Sequence, residues 1–242
     1  MRLKLICCEV FLREACLCIA NSPHTVDPEF TPKGAHDTSS YLREILQRKI
    51  NETEEQGIYD AILLGYGLCG NGIVGLKSSK IPLVIPRAHD CCTIFLGSRQ
   101  KFIEYFKDDL SAEWSSVGYM ERGDNYTRLT DTTKMLGLDM EYEELVKKYG
   151  EDNAEYLWET LHPIKDSMDL IYIDVPETSN PACLEKIKKE AEKQGKSVRV
   201  LPGDIRMIQS LVWGNWDEKD FLIVPPGHTV KGVYDQELVI KI

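Results

Sequence analysis

Three cysteines stand where buried, strand-like segments of the sequence end, and their thiols could bind one metal together. They are Cys8, Cys69 and Cys91. Cys8 is the last residue of segment 3–8, and segments 60–64 and 81–85 precede Cys69 and Cys91. The carboxyl ends of parallel strands meet at one edge of a sheet, where open α/β folds bind their ligands. Because thiolates prefer Zn²⁺, iron–sulfur clusters or Cu(I) to hard cations, the pattern predicts a zinc or iron–sulfur site.

Two histidines are candidates for a fourth ligand. His36 lies in a short loop before a predicted helix, and His89 lies two residues before Cys91. A tetrahedral zinc site needs four ligands, and imidazole nitrogen is a common one. The competing interpretation is that the cysteines fill the core, since free cysteine is among the most buried residue types. We assign that structural role to Cys7, Cys16, Cys18 and Cys183.

A glycine-rich turn surrounds Cys69. Residues 65–72 read Gly-Tyr-Gly-Leu-Cys-Gly-Asn-Gly, which matches the dinucleotide fingerprint G-x-G-x-x-G. The residues that follow are too rich in glycine to start a strong helix, and the next strand ends in Pro-Arg instead of an acidic residue. We therefore expect backbone groups of this turn to approach an anion or cluster sulfides, with nucleotide or S-adenosylmethionine binding as the alternative. The cofactor-binding candidates are Gly67, Gly70, Asn71 and Gly72.

Alternating strand and helix patterns indicate an α/β fold with a largely parallel sheet and flanking helices. Further strands are predicted at residues 116–120, 169–175, 197–201 and 221–224. Helices are predicted at residues 39–51, 93–107, 142–161, 181–194 and 205–213, and residues 21–34, with three prolines, are predicted to form a loop.

A weak internal repeat relates residues 59–97 to residues 168–214. It suggests two similar Rossmann-like lobes with a cleft between them, where a ligand would contact strand ends from both. We expect a first α/β lobe at residues 1–125 that carries the Cys/His site, a helical connection at 126–161 and a second α/β lobe at 162–242.

Charge and composition limit the partners. The net charge is −10 and the pI is about 5.1, which argue against nucleic acid or an anionic membrane as the main partner. Apolar stretches fall short of the ~20 residues of a membrane span, and the N-terminal residues lack the pattern of a signal peptide. We expect reduced thiols, a cytoplasmic location and a small-molecule or protein partner.

Several motifs together resemble the domain of unknown function family 1638. They are Cys8 in Ile6-Cys-Cys-Glu9, His36, Tyr66-Gly-Leu-Cys-Gly-Asn-Gly72, and the segment from Pro86 through His89 and Cys91 to Ser98. The resemblance implies a shared site of Cys8, His36, Cys69 and Cys91. It also implies an association with corrinoid proteins and methyltransferases of one-carbon metabolism. The doublets at residues 7–8 and 91–92 leave the ligand in each pair open.

These observations support three hypotheses about function. The first is a metal-binding protein, with zinc or an iron–sulfur cluster, that serves corrinoid-linked methyl transfer as a methyltransferase or a redox protein. The second is an enzyme that binds a nucleotide or S-adenosylmethionine at residues 65–72. The third is a carrier or chaperone that delivers a corrinoid or metal to a partner enzyme. Whether the chain is an enzyme stays open at this point.

Overall fold

The computed structural model describes residues 1–106, 112–123, 146, 147, 150, 151, 154, 169–233 and 239–242, except for the side chains of residues 36, 37 and 169. Its strands are β1 (Arg2–Cys8), β2 (Thr25–Thr31), β3 (Ala61–Gly65), β4 (Leu83–Pro86), β5 (Trp114–Ser116), β6 (Asp169–Asp174), β7 (Ser197–Pro202), β8 (Phe221–Val224), β9 (Lys231–Gly232) and β10 (Ile240–Lys241). The helices are α1 (Leu12–Ala20), α2 (Ser39–Gln56), α3 (Cys91–Phe95), α4 (Arg99–Phe106), α5 (Val117–Glu121), α6 (Pro181–Lys193) and α7 (Arg206–Trp213). Short 3₁₀ helices cover Glu9–Phe11, Lys33–Asp37 and Pro176–Thr178.

The main sheet has the order β2-β1-β3-β4-β8. The first four strands are parallel, and β8 joins β4 in the antiparallel direction. Every residue of β3 and β4 is buried, as expected for central strands covered on both faces. The predicted α/β fold with a mostly parallel sheet is therefore confirmed, and the carboxyl ends of β1, β3 and β4 lie along one edge.

The prediction of a loop over residues 21–34 is wrong, because Thr25–Thr31 forms strand β2. This strand lies at the edge of the sheet and pairs only with β1. An edge strand tolerates proline, since one row of its backbone N–H groups needs no partner strand. Pro28 therefore fits opposite Leu5 without leaving a gap in the ladder of the sheet.

Two other predicted elements differ from the structure. The strand predicted over 116–120 is wrong beyond its first residue, because β5 ends at Ser116 and α5 begins at Val117. A short apolar run that is buried throughout has no periodicity to distinguish the two. The helix predicted over 93–107 is interrupted, since Gly97 has a left-handed φ of 69° between α3 and α4. The helix predicted over 142–161 lies mostly outside the described residues.

A second, parallel sheet has the order β5-β6-β7. An aromatic cluster of Phe11, Phe95, Trp114 and Tyr119 joins β5 and α5 to the segments that follow β1 and β4 of the main sheet. The ring centroids of Phe11 and Phe95 are 4.5 Å apart, and those of Trp114 and Tyr119 are 4.9 Å apart. These rings belong to a hydrophobic core that includes residues of both sheets.

The sheets do not follow the division at residues 1–125, 126–161 and 162–242, which stays a prediction. Strand β5 lies in the first segment but pairs with β6, and β8 lies in the third but pairs with β4 in the main sheet. In the part of the chain that the structure describes, no helix has both the length and the apolar character needed to cross a bilayer.

Candidate functional site

Cys8, Cys69 and Cys91 all lie at the carboxyl edge of the main sheet. Cys8 is the last residue of β1 and is 1% exposed, and Cys91 is the first residue of α3 and is 4% exposed. Cys69 lies half-buried in the turn that follows β3. The strand ends thus bring the three cysteines to the same edge, although they are separated by tens of residues in the sequence.

Cys69 and Cys91 are in direct contact, and their sulfur atoms are 4.0 Å apart. The interaction with Cys91, together with burial, raises the pKa of the Cys69 thiol well above its usual range. The Cys69 thiol therefore stays protonated at neutral pH unless a cation compensates its negative charge.

Cys8 joins this pair electrostatically. Burial raises the pKa of the Cys8 thiol strongly, and the neighbouring charge of Cys91 raises it further. Cys8 in turn contributes to the raised pKa of Cys69. A thiolate at any one of these three positions thus disfavours a thiolate at the others, which is the behaviour expected of thiols that share one desolvated site.

Two loops fix the Cys69–Cys91 pair by backbone hydrogen bonds. The N–H of Leu68 donates to Ala88 O at 2.8 Å, and the N–H of Cys69 donates to His89 O at 2.9 Å. Gly67 allows this approach, because a β-carbon there would lie 2.8 Å from Asp90 N. The loops are therefore in direct backbone contact, and their register sets the distance between the two sulfurs.

The turn after β3 has an unusual backbone. Cys69, Gly70 and Asn71 have consecutive positive φ angles of 44°, 62° and 69°. A left-handed conformation costs a non-glycine residue roughly 1–2 kcal/mol and persists only where the surroundings impose it. Such strain is common at functional sites, and here it aims the Cys69 side chain at Cys91.

Tyr66 and Thr31 were not among the predicted site residues. Tyr66 is 1% exposed, and its hydroxyl makes a short hydrogen bond with the Thr31 hydroxyl. Burial and the charges of Cys8, Cys7, Cys69 and Cys91 raise the pKa of the Tyr66 phenol. The hydroxyl pair is thus a neutral hydrogen-bonding group beside the thiols. Tyr66 belongs to the glycine-rich motif of residues 65–72, whereas Thr31 lies in the segment 21–34 that was predicted to be a loop.

Within the two cysteine doublets, the neighbours have different surroundings. Cys7 is fully buried, and its sulfur lies 3.7 Å from the carbonyl oxygen of Gly65. Cys92 is also fully buried, whereas Cys91 is the member of its pair that contacts Cys69. Asp90 caps α3 as expected, because its Oδ1 accepts from Thr93 N at 3.1 Å.

The two candidate histidines differ in what the structure describes. His89 is half-buried in the loop before α3, with its ring 6.5 Å from that of Phe102. His36 lies in the 3₁₀ helix Lys33–Asp37, and its side chain is outside the described part. Among the described side chains, no group of three or more His, Cys, Asp and Glu is arranged to hold a metal ion as the structure stands. The predicted ligand set therefore stays a prediction.

The glycine turn carries the four residues predicted to bind a cofactor, namely Gly67, Gly70, Asn71 and Gly72. The N–H of Gly72 is already occupied, since it donates to Leu68 O at 3.0 Å. Residues 70–75 form turns, and no helix begins before Cys91 in this fully described stretch. The helix N-terminus that holds a pyrophosphate in the dinucleotide fold is thus missing here. Nucleotide binding at this turn stays a prediction.

A buried carboxyl group lies behind the site on α1. Glu14 is 2% exposed; its Oε1 accepts from the Thr178 hydroxyl at 2.5 Å, and its Oε2 has no partner. Burial raises the pKa of this carboxyl. A carboxyl whose pKa is higher in the folded than in the unfolded chain destabilises the protein as the pH rises past the unfolded value.

We therefore expect Glu14→Gln to reduce the pH dependence of stability. As the pH rises from 4 to 7, the free energy of unfolding of the parent should fall relative to that of the variant. Glu14 loses its proton in the unfolded chain over this range, whereas in the folded chain it must keep the proton or carry a buried charge. Urea unfolding at several pH values measures this difference, with the exposed Glu55→Gln as the matched control. A gap between parent and Glu14→Gln that stays constant with pH would contradict the assignment.

The chain was compared with known proteins. A family model described as "Protein of unknown function (DUF1638)" matches residues 30–212, which is more than half of the chain. The match includes Cys69 and Cys91 and begins after Cys8. No curated protein and no solved structure matches the chain significantly.

Proposed function

The chain belongs to the DUF1638 family of proteins of unknown function, and we propose that it binds a single zinc ion through the thiolates of Cys8, Cys69 and Cys91. The edge of the main sheet supplies three soft sulfur donors, a donor set that suits zinc better than Mg²⁺ or Ca²⁺. An iron–sulfur cluster is the competing occupant of the same ligands.

The observation that carries this proposal is the 4.0 Å separation of the Cys69 and Cys91 sulfurs. Two Zn–S bonds of about 2.3 Å at a tetrahedral angle place their sulfurs about 3.8 Å apart. The pair therefore fits two positions on one ion with almost no rearrangement. Thiolates bound to different irons of a cluster lie farther apart, so the distance favours a single ion.

The electrostatics of the free site favour a cation. The raised thiol pKa values of Cys8 and Cys69 come from burial and mutual repulsion, and a divalent ion would reverse both effects. The thiols must then release protons, so we expect the affinity for metal to rise with pH. The neutral Tyr66 hydroxyl, whose pKa burial and the cysteines raise, adds no negative charge to the site.

Three protein ligands leave a fourth position for His36, His89 or a substrate. Zinc held by thiolates keeps a substrate thiol deprotonated at neutral pH. Transfer of a methyl group to a thiol, with a corrinoid protein as partner, is the reaction class we propose. Its link to corrinoid rests on the family resemblance alone. We also propose that the substrate enters through a cleft between two Rossmann-like lobes.

The test is the metal content of protein purified anaerobically, with Co²⁺ substitution as a second readout. We expect about one zinc per chain by elemental analysis and, after exchange, the intense absorption of tetrahedral cobalt bound to thiolates. A brown protein that contains iron and inorganic sulfide would show that the site holds an iron–sulfur cluster instead of zinc. Protein that takes up neither metal, or that retains a nucleotide through purification, would overturn the proposal.

A further inference from the structure

A groove on the main-sheet domain lies between α2 and the segment that follows the Cys69 turn. Its volume is about 540 Å³, and it is lined by Arg43, Gln47, Arg48, Asn51, Gly75 and Lys77, with Ser40 and Glu44 at its rim. The α2 residues recur at intervals of three and four, so they form one face of the helix. None of the residues that line the groove is a thiol, so binding there does not require the proposed zinc ion.

The walls of the groove are fixed without a ligand. The side-chain amide of Gln47 donates to Lys77 O at 2.9 Å and to Asn51 Oδ1 at 2.8 Å, and it accepts from Lys77 N at 3.1 Å. These bonds attach the Lys77 segment to α2 and fix the spacing across the groove. A ligand would therefore meet a preorganised surface, which lowers the entropic cost of binding.

The groove is cationic on a chain whose net charge is −10. Arg48 approaches Glu52 at 3.8 Å, a distance typical of a weak, exposed ion pair. Arg43 and Lys77 have no carboxylate within ion-pair distance among the described residues. Glu44 is the acidic residue of the lining, so positive charge exceeds negative.

Arg43 has a donor without an acceptor. Its Nε is shielded from solvent and has no hydrogen-bond partner, and a β-carbon on Gly75 would be in ordinary contact with that atom at 3.8 Å. The Arg43 side chain also lines a second cavity of about 270 Å³, beside Asn71, Val74 and Gly232. A buried N–H without an acceptor costs free energy, which a shift of the guanidinium toward a bound oxyanion would recover.

We propose that this groove binds the phosphate group of a small phosphorylated molecule between the Arg43 guanidinium and the Lys77 ammonium. A guanidinium matches the fork of two phosphate oxygens, and the ammonium of Lys77, an exposed residue that also lines the groove, neutralises the remaining charge. The side chains of Asn51 and Ser40 supply neutral donors for the rest of the ligand.

Arg43 also connects this groove to the thiol site. Its Nη2 donates to Asn71 O at 2.9 Å, and Asn71 is the last of the three left-handed residues that begin with Cys69. A guanidinium has enough donors to keep this bond while its other N–H groups hold a phosphate. Ligand binding therefore orders Arg43 and, through it, the turn that presents Cys69.

The test is calorimetric titration of the full chain with inorganic phosphate and pyrophosphate, at constant ionic strength set with chloride. We expect saturable binding. Arg43→Gln and Lys77→Gln should each weaken it about 10-fold or more, because each substitution removes one charge-assisted contact with the phosphate. Lys80→Gln, which removes an exposed lysine outside the groove, should bind like the parent. Arg43→Lys keeps the charge but loses the fork, so it should also bind more weakly.

Unchanged affinity in Lys77→Gln, whose side chain lies on the surface and is not needed for folding, would overturn the site. An equal loss in Lys80→Gln would show unspecific attraction and overturn it as well. Hydrogen exchange by mass spectrometry tests the connection to the turn. Saturating phosphate should slow exchange over residues 69–75 in the parent and leave it unchanged in Arg43→Gln, and unchanged exchange in the parent would refute the connection.

Discussion

Gly118→Ala is expected to destabilise the protein by about 3 kcal/mol or more, and to leave little folded chain at 37 °C. A β-carbon at residue 118 would lie 1.7 Å from the carbonyl oxygen of Val10 and 2.7 Å from its carbonyl carbon. Both atoms belong to the backbone, so no change of side-chain rotamer can relieve the overlap. Helix α5 would have to separate from Glu9–Phe11, which opens the core between the two sheets.

Thermal and urea unfolding of purified protein measure this effect. Gly123→Ala is the matched control, because Gly123 has a positive φ of 84° and no atom within 4 Å of a β-carbon. That substitution should cost only the backbone penalty of about 1 kcal/mol. If both variants lose the same stability, the close packing of α5 on Val10 does not hold the sheets together.

Removal of either paired thiol, as Cys69→Ser or Cys91→Ser, is expected to lower zinc affinity by about 100-fold or more while the chain stays folded. Each serine replaces a soft thiolate with a hydroxyl that zinc binds poorly, and it removes one of two sulfurs already spaced for the ion. The loss should be larger than the 10–100-fold effect of a residue that only orients a ligand.

Competition with a chromophoric chelator measures zinc affinity in these variants, and circular dichroism confirms that they fold. Cys16→Ser is the matched control, because Cys16 is exposed and lies on α1, away from the Cys69–Cys91 pair. If Cys69→Ser and Cys91→Ser both bind zinc as tightly as the parent, the two cysteines are not zinc ligands and their role is structural. Tight binding lost only in Cys8→Ser would move the site toward β1.

The positions of most strands along the sequence were predictable from local patterns. Strands β1, β3, β4, β6, β7 and β8 lie in the predicted runs of apolar residues, and the runs of all but β1 end at or next to Gly, Pro or Asp. Strand β2 was not predictable from its own composition, because Pro28 and its polar neighbours are acceptable only at a sheet edge. Edge position is a property of the whole topology, which a local pattern does not contain.

The thiol site was predictable in its outline and not in its chemistry. The rule that strand ends of a parallel sheet converge brings Cys8, Cys69 and Cys91 to one edge, as the structure shows. The Thr31–Tyr66 hydroxyl pair depends on the register of β2 against β1, which places Thr31 beside Cys8. The groove at Arg43 depends on how α2 packs on a turn of left-handed residues, so no local signal indicates it.

Strand β8 has a consequence for how the chain folds as it is synthesised. It completes the main sheet by pairing with β4 from residues 221–224, after the whole β5-β6-β7 sheet has been made. Until β8 has been synthesised, the edge of β4 that it pairs with stays exposed. Pairing of the two strands then closes a loop of well over a hundred residues, which is slow. Nascent chains should therefore depend on chaperones that cover this edge until β8 has been synthesised and pairs with β4.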